Sequence, residues 1–317
     1  MFDFKQYTAD QKPLWDQFVK ASRNGTFLLL RDYMDYHADR FQDHSLLIYR
    51  QHRLFALLPA NRVGEVLHSH QGLTYAGLIM GQHADACSVL QLFQELHAYL
   101  YAEGFRKVVY KPIPYIFHRQ PSQEDLYALF RLTNARFAAR NISSTIDQGN
   151  KLRFTESRRS GIRKAQAQGL TISESTDLQP FYDILCQNLH DKYQTTPVHT
   201  LAELQLLQSR FPQSIRLYTA NLAGRVLGGA LLYIMPPVVH TQYISASPEG
   251  KQTGALDLLF DHLINTVYPH IPYFDLGTSN EQGGRVLNES LIFQKIGFGG
   301  RGVMFDTYEY DLLPSNS

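Results

Sequence analysis

Ser214–Tyr218 reads SIRLY, and it is followed by GRVLGGALLYI at 224–234 and VVHTQYISAS at 238–247. The same order stands earlier in the chain. SLLIY occupies Ser45–Tyr49, then HRLFALLPANR runs over 52–62 and GLTYAGLIMG over 72–81, so that Tyr75 falls opposite Tyr243. Each series then enters a stretch with a 3.6-residue apolar period, the mark of an amphipathic helix. The first is Ser88–Glu103, with Leu92, Phe93, Leu96, Tyr99 and Leu100 on one face; the second is Gly254–Tyr268, with Leu258, Leu259, Leu263, Ile264 and Val267. A short strand follows each, KVVY at Lys107–Tyr110 and YFDL at Tyr273–Leu276. Strand, strand, strand, helix, strand thus occurs twice, which reads as a duplication. The expected fold class is α/β, of the α+β mixed-sheet kind. Two tandem domains, 1–150 and 151–317, would each have a mixed central sheet flanked by helices.

Local signals fill in the rest. Gln123–Arg140 reads as a helix behind Ser122, and Asn141–Glu156 as a polar boundary without either period. Ser157–Gln168 reads as a basic helix stopped by Gly169. Asp177 is placed to cap Leu178–Tyr193, and Thr200 with Glu203 forms a capping box. Asn221–Gly224 suits a hairpin turn. Residues 1–23 are expected to hold a short helix around Trp15 and Phe18, and the tail from Leu312 to fray.

Composition excludes several classes. With 317 residues, 44% hydrophobic and 19% charged, the chain is that of a folded protein rather than a disordered one. A net charge of +1 supplies no global attraction to DNA or an anionic membrane, so any anion site must be local. The two cysteines, Cys87 and Cys186, form no disulfide framework and are read as packed thiols. MFDFKQYTAD lacks the pattern of a signal peptide, and no apolar run reaches membrane-spanning length, so a cytoplasmic location is expected. His68 with His70, and His37 with His44, lack a trusted ligand spacing, so no metal is expected.

Two segments suit a ligand. In SASPEGKQTGALDLLF, Ser245–Phe260, a strand passes through a glycine-containing loop into a helix. Free amides and the positive helix end would face a pyrophosphate there, with Gly250, Lys251, Gln252, Thr253, Gly254 and Ala255 as its contacts. A glycine-rich turn without a ligand explains the same residues. IFQKIGF, Ile292–Phe298, reads as a short helix turning through Gly297 into an aromatic strand. Side chains able to move a proton or hold a polar ligand gather in the second half of the chain. The candidates are His240 as base, Tyr243 as acid, and Glu281, with Asp275 and Asn280 as substrate contacts. Arg159 and Arg163, one turn apart in a cluster with Lys151, Arg153, Arg158 and Lys164, suit a phosphate or a solvated helix face.

Together the two segments resemble the GNAT superfamily of N-acyltransferases. Lys251–Leu256 lies on that family's pyrophosphate loop, with Gly254 matching and Lys251 and Leu256 departing. Phe293–Phe298 lies on its second landmark, with Lys295, Gly297 and Phe298 matching and Phe293 standing where a tyrosine is expected. The resemblance implies acetyl-CoA or another acyl-CoA as donor, and Phe293 has no hydroxyl to protonate a departing thiolate. RRSGIRKAQAQGL at 158–170 and FDLGTSNE at 274–281 look like the second domain of FemAB-like transferases, which consist of two tandem GNAT-like domains. That likeness implies an amine acceptor on a sugar, peptide or cell-envelope precursor. It also offers aminoacyl-tRNA as an alternative donor, and an inactive binding protein on the same fold as a third reading. The first half lacks the loop: at 81–89, GQHADACSV, Gly81 has no second glycine and Asp85 would repel phosphate.

Overall fold

A computed structural model describes residues 1–314, with the side chain of Tyr193 outside the description. In chain order the elements are β1 (Phe2–Gln6), α1 (Lys12–Ala21), α2 (Arg31–Met34), β2 (Gln42–Asp43), β3 (Leu46–Arg50), β4 (Arg53–Leu58), β5 (Asn61–Val63), β6 (Val66–His68), β7 (Ile79–Met80), α3 (Ala86–Ala102), β8 (Lys107–Tyr110), α4 (Glu124–Leu132) and β9 (Arg136–Asp147). There follow α5 (Glu156–Ala167), β10 (Thr171–Ser175), α6 (Gln179–Tyr193), α7 (Leu201–Arg210), β11 (Ile215–Leu222), β12 (Arg225–Met235), β13 (Val238–Ala246), α8 (Pro248–Thr253), α9 (Ala255–His262), β14 (Tyr273–Thr278), β15 (Asn280–Glu281), β16 (Val286–Leu287), α10 (Glu289–Ile296) and β17 (Arg301–Asp311). The chain divides into two compact units. One is Met1–Ile142 with Asn280–Leu287 and Met304–Ser317; the other is Ser143–Ser279 with Asn288–Val303.

In the first unit, β1, β3, β4 and β7 pair antiparallel in that order. β2, β5, β6 and β8 form a second series, parallel only between β6 and β8, and β8 pairs with the 308–311 end of β17. The apolar face of α3, Val89, Leu92, Phe93, Leu96 and Leu100, packs in one core with Ile48, Leu58, Phe105, Tyr310 and Leu312. An Asp85–Ser88 capping box starts the helix.

In the second unit the order is β10, β11, β12, β13, β14 and the 143–147 end of β9, antiparallel except between β13 and β14. On one face Leu259, Phe260, Leu263 and Ile264 pack with Ala230, Leu232, Val239 and Phe274. On the other, α6 approaches β12 so closely that a Cβ on Gly229 would lie 2.9 Å from the Phe181 ring. The Asn221–Gly224 turn is a hairpin with left-handed Ala223 and Gly224, and Gly169 ends α5 at φ +75.

Several local expectations differ from the structure. The helix read over 123–140 ends at Leu132, and the run read as a polar boundary is strand β9. Ser143 and Thr145 are buried there on one face, which is hydroxyl rather than apolar, so hydropathy does not show the strand period. Phe2–Gln6 pairs with β3 although it reads as lead-in to a helix. Of the 72–81 run only Ile79–Met80 is strand. Gly297 has φ −61; the left-handed turn falls at Gly299, φ +92. Cys87 is exposed rather than packed. Leu312 is buried and its N–H bonds Arg106 O at 2.9 Å, so fraying does not begin there; 315–317 lie outside the described residues.

Candidate active site

β13 and β14 run side by side for three residues, Val238–His240 against Tyr273–Asp275, and then their pairing stops. Both strands are irregular just there. On β13 the register slips so that Thr241 faces Leu232 and Tyr243 faces Leu231, with Gln242 as the extra residue of a bulge. His240 faces Tyr233, two residues from Leu231, so the bulge sets His240 and Tyr243 on one face of the sheet. Simple alternation would separate them. On β14 the register against β9 shifts between Asp275 and Thr278, and Gly277 takes φ +77, a left-handed conformation that favours glycine.

The closed end of this fork holds a buried carboxylate. Asp275 is fully buried, and His240 Nδ1 lies 2.6 Å from its Oδ2. Ser143 and Thr145 hydroxyls donate to Oδ1, at 2.5 and 2.7 Å. Burial pushes the carboxyl up, but the hydrogen bond and charge of His240 and the two hydroxyls outweigh it and hold it below its ordinary value. An ionised carboxylate only accepts, so Nδ1 donates its proton to Asp275.

A buried cation stands beside it. Lys295 of α10 places Nζ 2.8 Å from both Gly277 O and Thr278 O, the carbonyls at the β14 irregularity. Burial lowers its pKa to about 8, against an opposing pull from Asp275. Thr241 Oγ1, which an added Cβ on Gly277 would approach to 3.8 Å, and Ser279 Oγ are buried without a hydrogen-bond partner among the described residues. Polar groups left in this way mark a place where a polar ligand fits. Further along β13, Tyr243 OH lies 2.7 Å from His199 Nδ1, and Tyr182 OH donates to His199 O. Burial raises the Tyr243 phenol.

The glycine loop is built differently from a phosphate cradle. Its residues form α8, capped by Ser247 Oγ on Gly250 N–H at 3.1 Å. A Cβ on Gly250 would stand 2.2 Å from Leu227 O, and one on Gly254, at φ +80, 2.4 Å from Gly161 O of α5. Both glycines therefore serve close packing. Arg158 of α5 reaches Asp257 in the first turn of α9 at 2.6 Å, so the positive end of that helix already faces an anion. Lys251 Nζ donates to Asn188 Oδ1 and Thr253 Oγ1 to Gly250 O; Gln252 is exposed and Ala255 buried.

Of the residues singled out by sequence, His240 and Asp275 come together and Tyr243 shares their face. Glu281 and Asn280 belong to the first unit, where Asn280 Oδ1 accepts from Ile142 N–H and Nδ2 donates to Asn141 Oδ1. Arg159 and Arg163 both pair with Glu156, at 2.8 and 2.5 Å. Phe293 is 65% exposed. Sequence reasoning missed Ser143, Thr145 and His199 as site residues, and nothing local marks them. Lys295 was within reach, since it is a lone charge inside IFQKIGF.

Residues 153–282 match the family model described as an acetyltransferase (GNAT) domain. That stretch, less than half of the chain, is similar to a GNAT acetyltransferase domain. FemX is similar over 98% of this chain and 97% of its own, at 12% identity and a TM-score of 0.68. The C-terminal domain of a putative lysylphosphatidylglycerol synthetase from Agrobacterium fabrum is similar over 97% and 93%, at 12% identity and 0.59. A tandem GNAT protein from the clavulanic acid biosynthesis pathway is similar over 100% of both chains, at 9% identity and 0.54. Among curated proteins no match was found. At these identities the solved structures show a shared fold. Among the described residues no helix is long and apolar enough to cross a membrane.

Proposed function

We propose that the chain is a tandem-GNAT transferase that passes an acyl group to an amine at the fork of its second unit. The observation that carries this reading is the His240–Asp275 pair beside the buried Lys295. Asp275 orients the imidazole, and His240 takes the proton of the attacking amine. Lys295 spends two of its three N–H donors on Gly277 O and Thr278 O. The third stabilises the oxygen that becomes negative as the amine adds to the carbonyl. Tyr243, held by His199, is the donor for the leaving group in place of the hydroxyl Phe293 lacks.

The donor divides two readings, acyl-CoA and the aminoacyl ester of a tRNA. The packed glycines and the Asp257 carboxylate at the start of α9 favour the ester, because close backbone packing and a negative group there do not suit a CoA pyrophosphate. The acceptor on this reading is an amine of a cell-envelope precursor, and the location cytoplasmic. The test offers labelled acetyl-CoA, a longer acyl-CoA and charged tRNA with a panel of amine acceptors. Label should pass from tRNA to an acceptor and be lost in His240→Gln. Transfer from acyl-CoA alone would reverse the donor assignment, and transfer from neither would overturn the reading.

A further inference from the structure

The fork leaves the strongest concentration of charge in the chain unused. Six of the thirty lysines and arginines fall at Lys151, Arg153, Arg158, Arg159, Arg163 and Lys164, with Glu156 the only carboxylate in that stretch, in a protein whose net charge is +1. Arg158 is taken by Asp257. Three of the others stand around a cavity of about 300 Å³ in the second unit. Its lining is Lys151, Arg153 and Arg159 over Leu152, Phe154 and Ile162, closed on the α9 side by Asp261 and Asn265.

The carboxylates near this cavity are engaged. Asn265 Nδ2 donates to Asp261 at 2.7 Å and its Oδ1 accepts from Lys151 at 2.5 Å. Glu156 is shared between Arg159 and Arg163. Three cations, Lys151, Arg153 and Arg159, therefore stand against one lining carboxylate, Asp261, and Arg153 is exposed. The cavity opens where 151–154 lead into α5, a helix of twelve residues whose positive end adds to the same field. It lies beside Asp261 and Asn265, along α9 from Lys251 and Gly254, so it is a different place from the loop the sequence pointed to.

We propose that this cavity binds a phosphorylated nucleotide. Leu152, Phe154 and Ile162 provide an apolar floor for a base, and Lys151, Arg153 and Arg159 reach its phosphates, with arginine offering paired donors to phosphate oxygens. The volume admits a single nucleotide, at the small end of ligand cavities. Such a group can arrive as the nucleotide end of a coenzyme or as one nucleotide of an RNA strand. The site stands on charge and shape and does not depend on the acyl-transfer reading.

The test is direct binding to the full chain, with no activity needed. Adenosine 3′,5′-bisphosphate, CoA, a short single-stranded RNA and unphosphorylated adenosine are titrated by calorimetry. The bisphosphate should bind and adenosine should bind at least tenfold more weakly. Arg153→Glu and the double variant Lys151→Gln/Arg159→Gln should each lose tenfold or more, while Lys251→Gln, with unchanged thermal unfolding, should bind as the wild type does. CoA binding better than RNA would name the coenzyme as source, and RNA better than CoA, with a salt dependence flattened in Arg153→Glu, would name the nucleic acid. If the wild type binds none of the phosphorylated probes, or the charge variants bind unchanged, the site is overturned. A protein that binds here but transfers no acyl group would contradict the proposed function and leave this inference standing.

Discussion

Gly254 shows how one residue changes meaning between sequence and structure. At φ +80, and with Gly161 O 2.4 Å from where its Cβ would be, it is required by the crossing of α5 and α9. Gly254→Ala is expected to lower the unfolding free energy by about 2 kcal/mol or more, from the left-handed backbone and the clash together, read by denaturant unfolding. Asp275 carries the opposite lesson, because a residue expected to contact substrate is fully buried against His240. Asp275→Asn is expected to slow transfer by roughly 10²–10⁴-fold in a single-turnover assay, as a lost base orientation does. Its stability effect has a definite sign. The folded carboxyl lies below its ordinary value, so its contribution is fully present above the unfolded pKa of ~3.9 and is lost as pH falls below that toward and through the lower folded value. The gap between wild type and Asp275→Asn should therefore close on acidification.

At the scale of elements, buried ionisable groups record how strands and helices meet. Lys295 enters from α10 to satisfy carbonyls at the β14 irregularity, with its pKa lowered to about 8. Between about pH 8 and roughly 10.4 the unfolded chain binds the extra proton, so stability rises with pH over that window. Lys295→Met should remove that rise in unfolding curves taken at pH 7.5 and pH 10. In the first unit α4 buries Asp125 against Tyr110 OH at 2.6 Å, and burial raises the carboxyl to about 6. Here the folded state holds the proton longer, so stability falls as pH rises from about 4 through about 6. Asp125→Asn should abolish that slope while keeping the hydroxyl contact. These elements also show what was legible. α3, β8 and the α5 stop at Gly169 follow from apolar period and a glycine signal. β9 does not, because its buried face is Ser143 and Thr145, and β1 does not, because a five-residue edge strand has too little pattern to read.

At the scale of the molecule, the units are not contiguous in sequence. Tyr310 and Leu312 of the C-terminal stretch belong to the core that holds α3, and β17 pairs with β8. A chain ending at Val303 should therefore lose the cooperative transition of the first unit, seen by calorimetry or limited proteolysis. The fragment 143–303 contains the core of the second unit and should keep a transition of its own.

The sequence by itself determined the mixed α/β fold class, the amphipathic helices and the glycine stops, and it put His240 and Asp275 among the candidates. Apolar period, caps and glycine stops act within a few residues, and they are written in local order. Only the tertiary structure decided what the glycine loop is for, that His240 and Tyr243 share a face, and that two hydroxyls and a lysine from distant segments surround Asp275. Those facts depend on strand register and on the approach of one backbone to another. Both are set by packing between segments far apart in the chain, which no local pattern encodes.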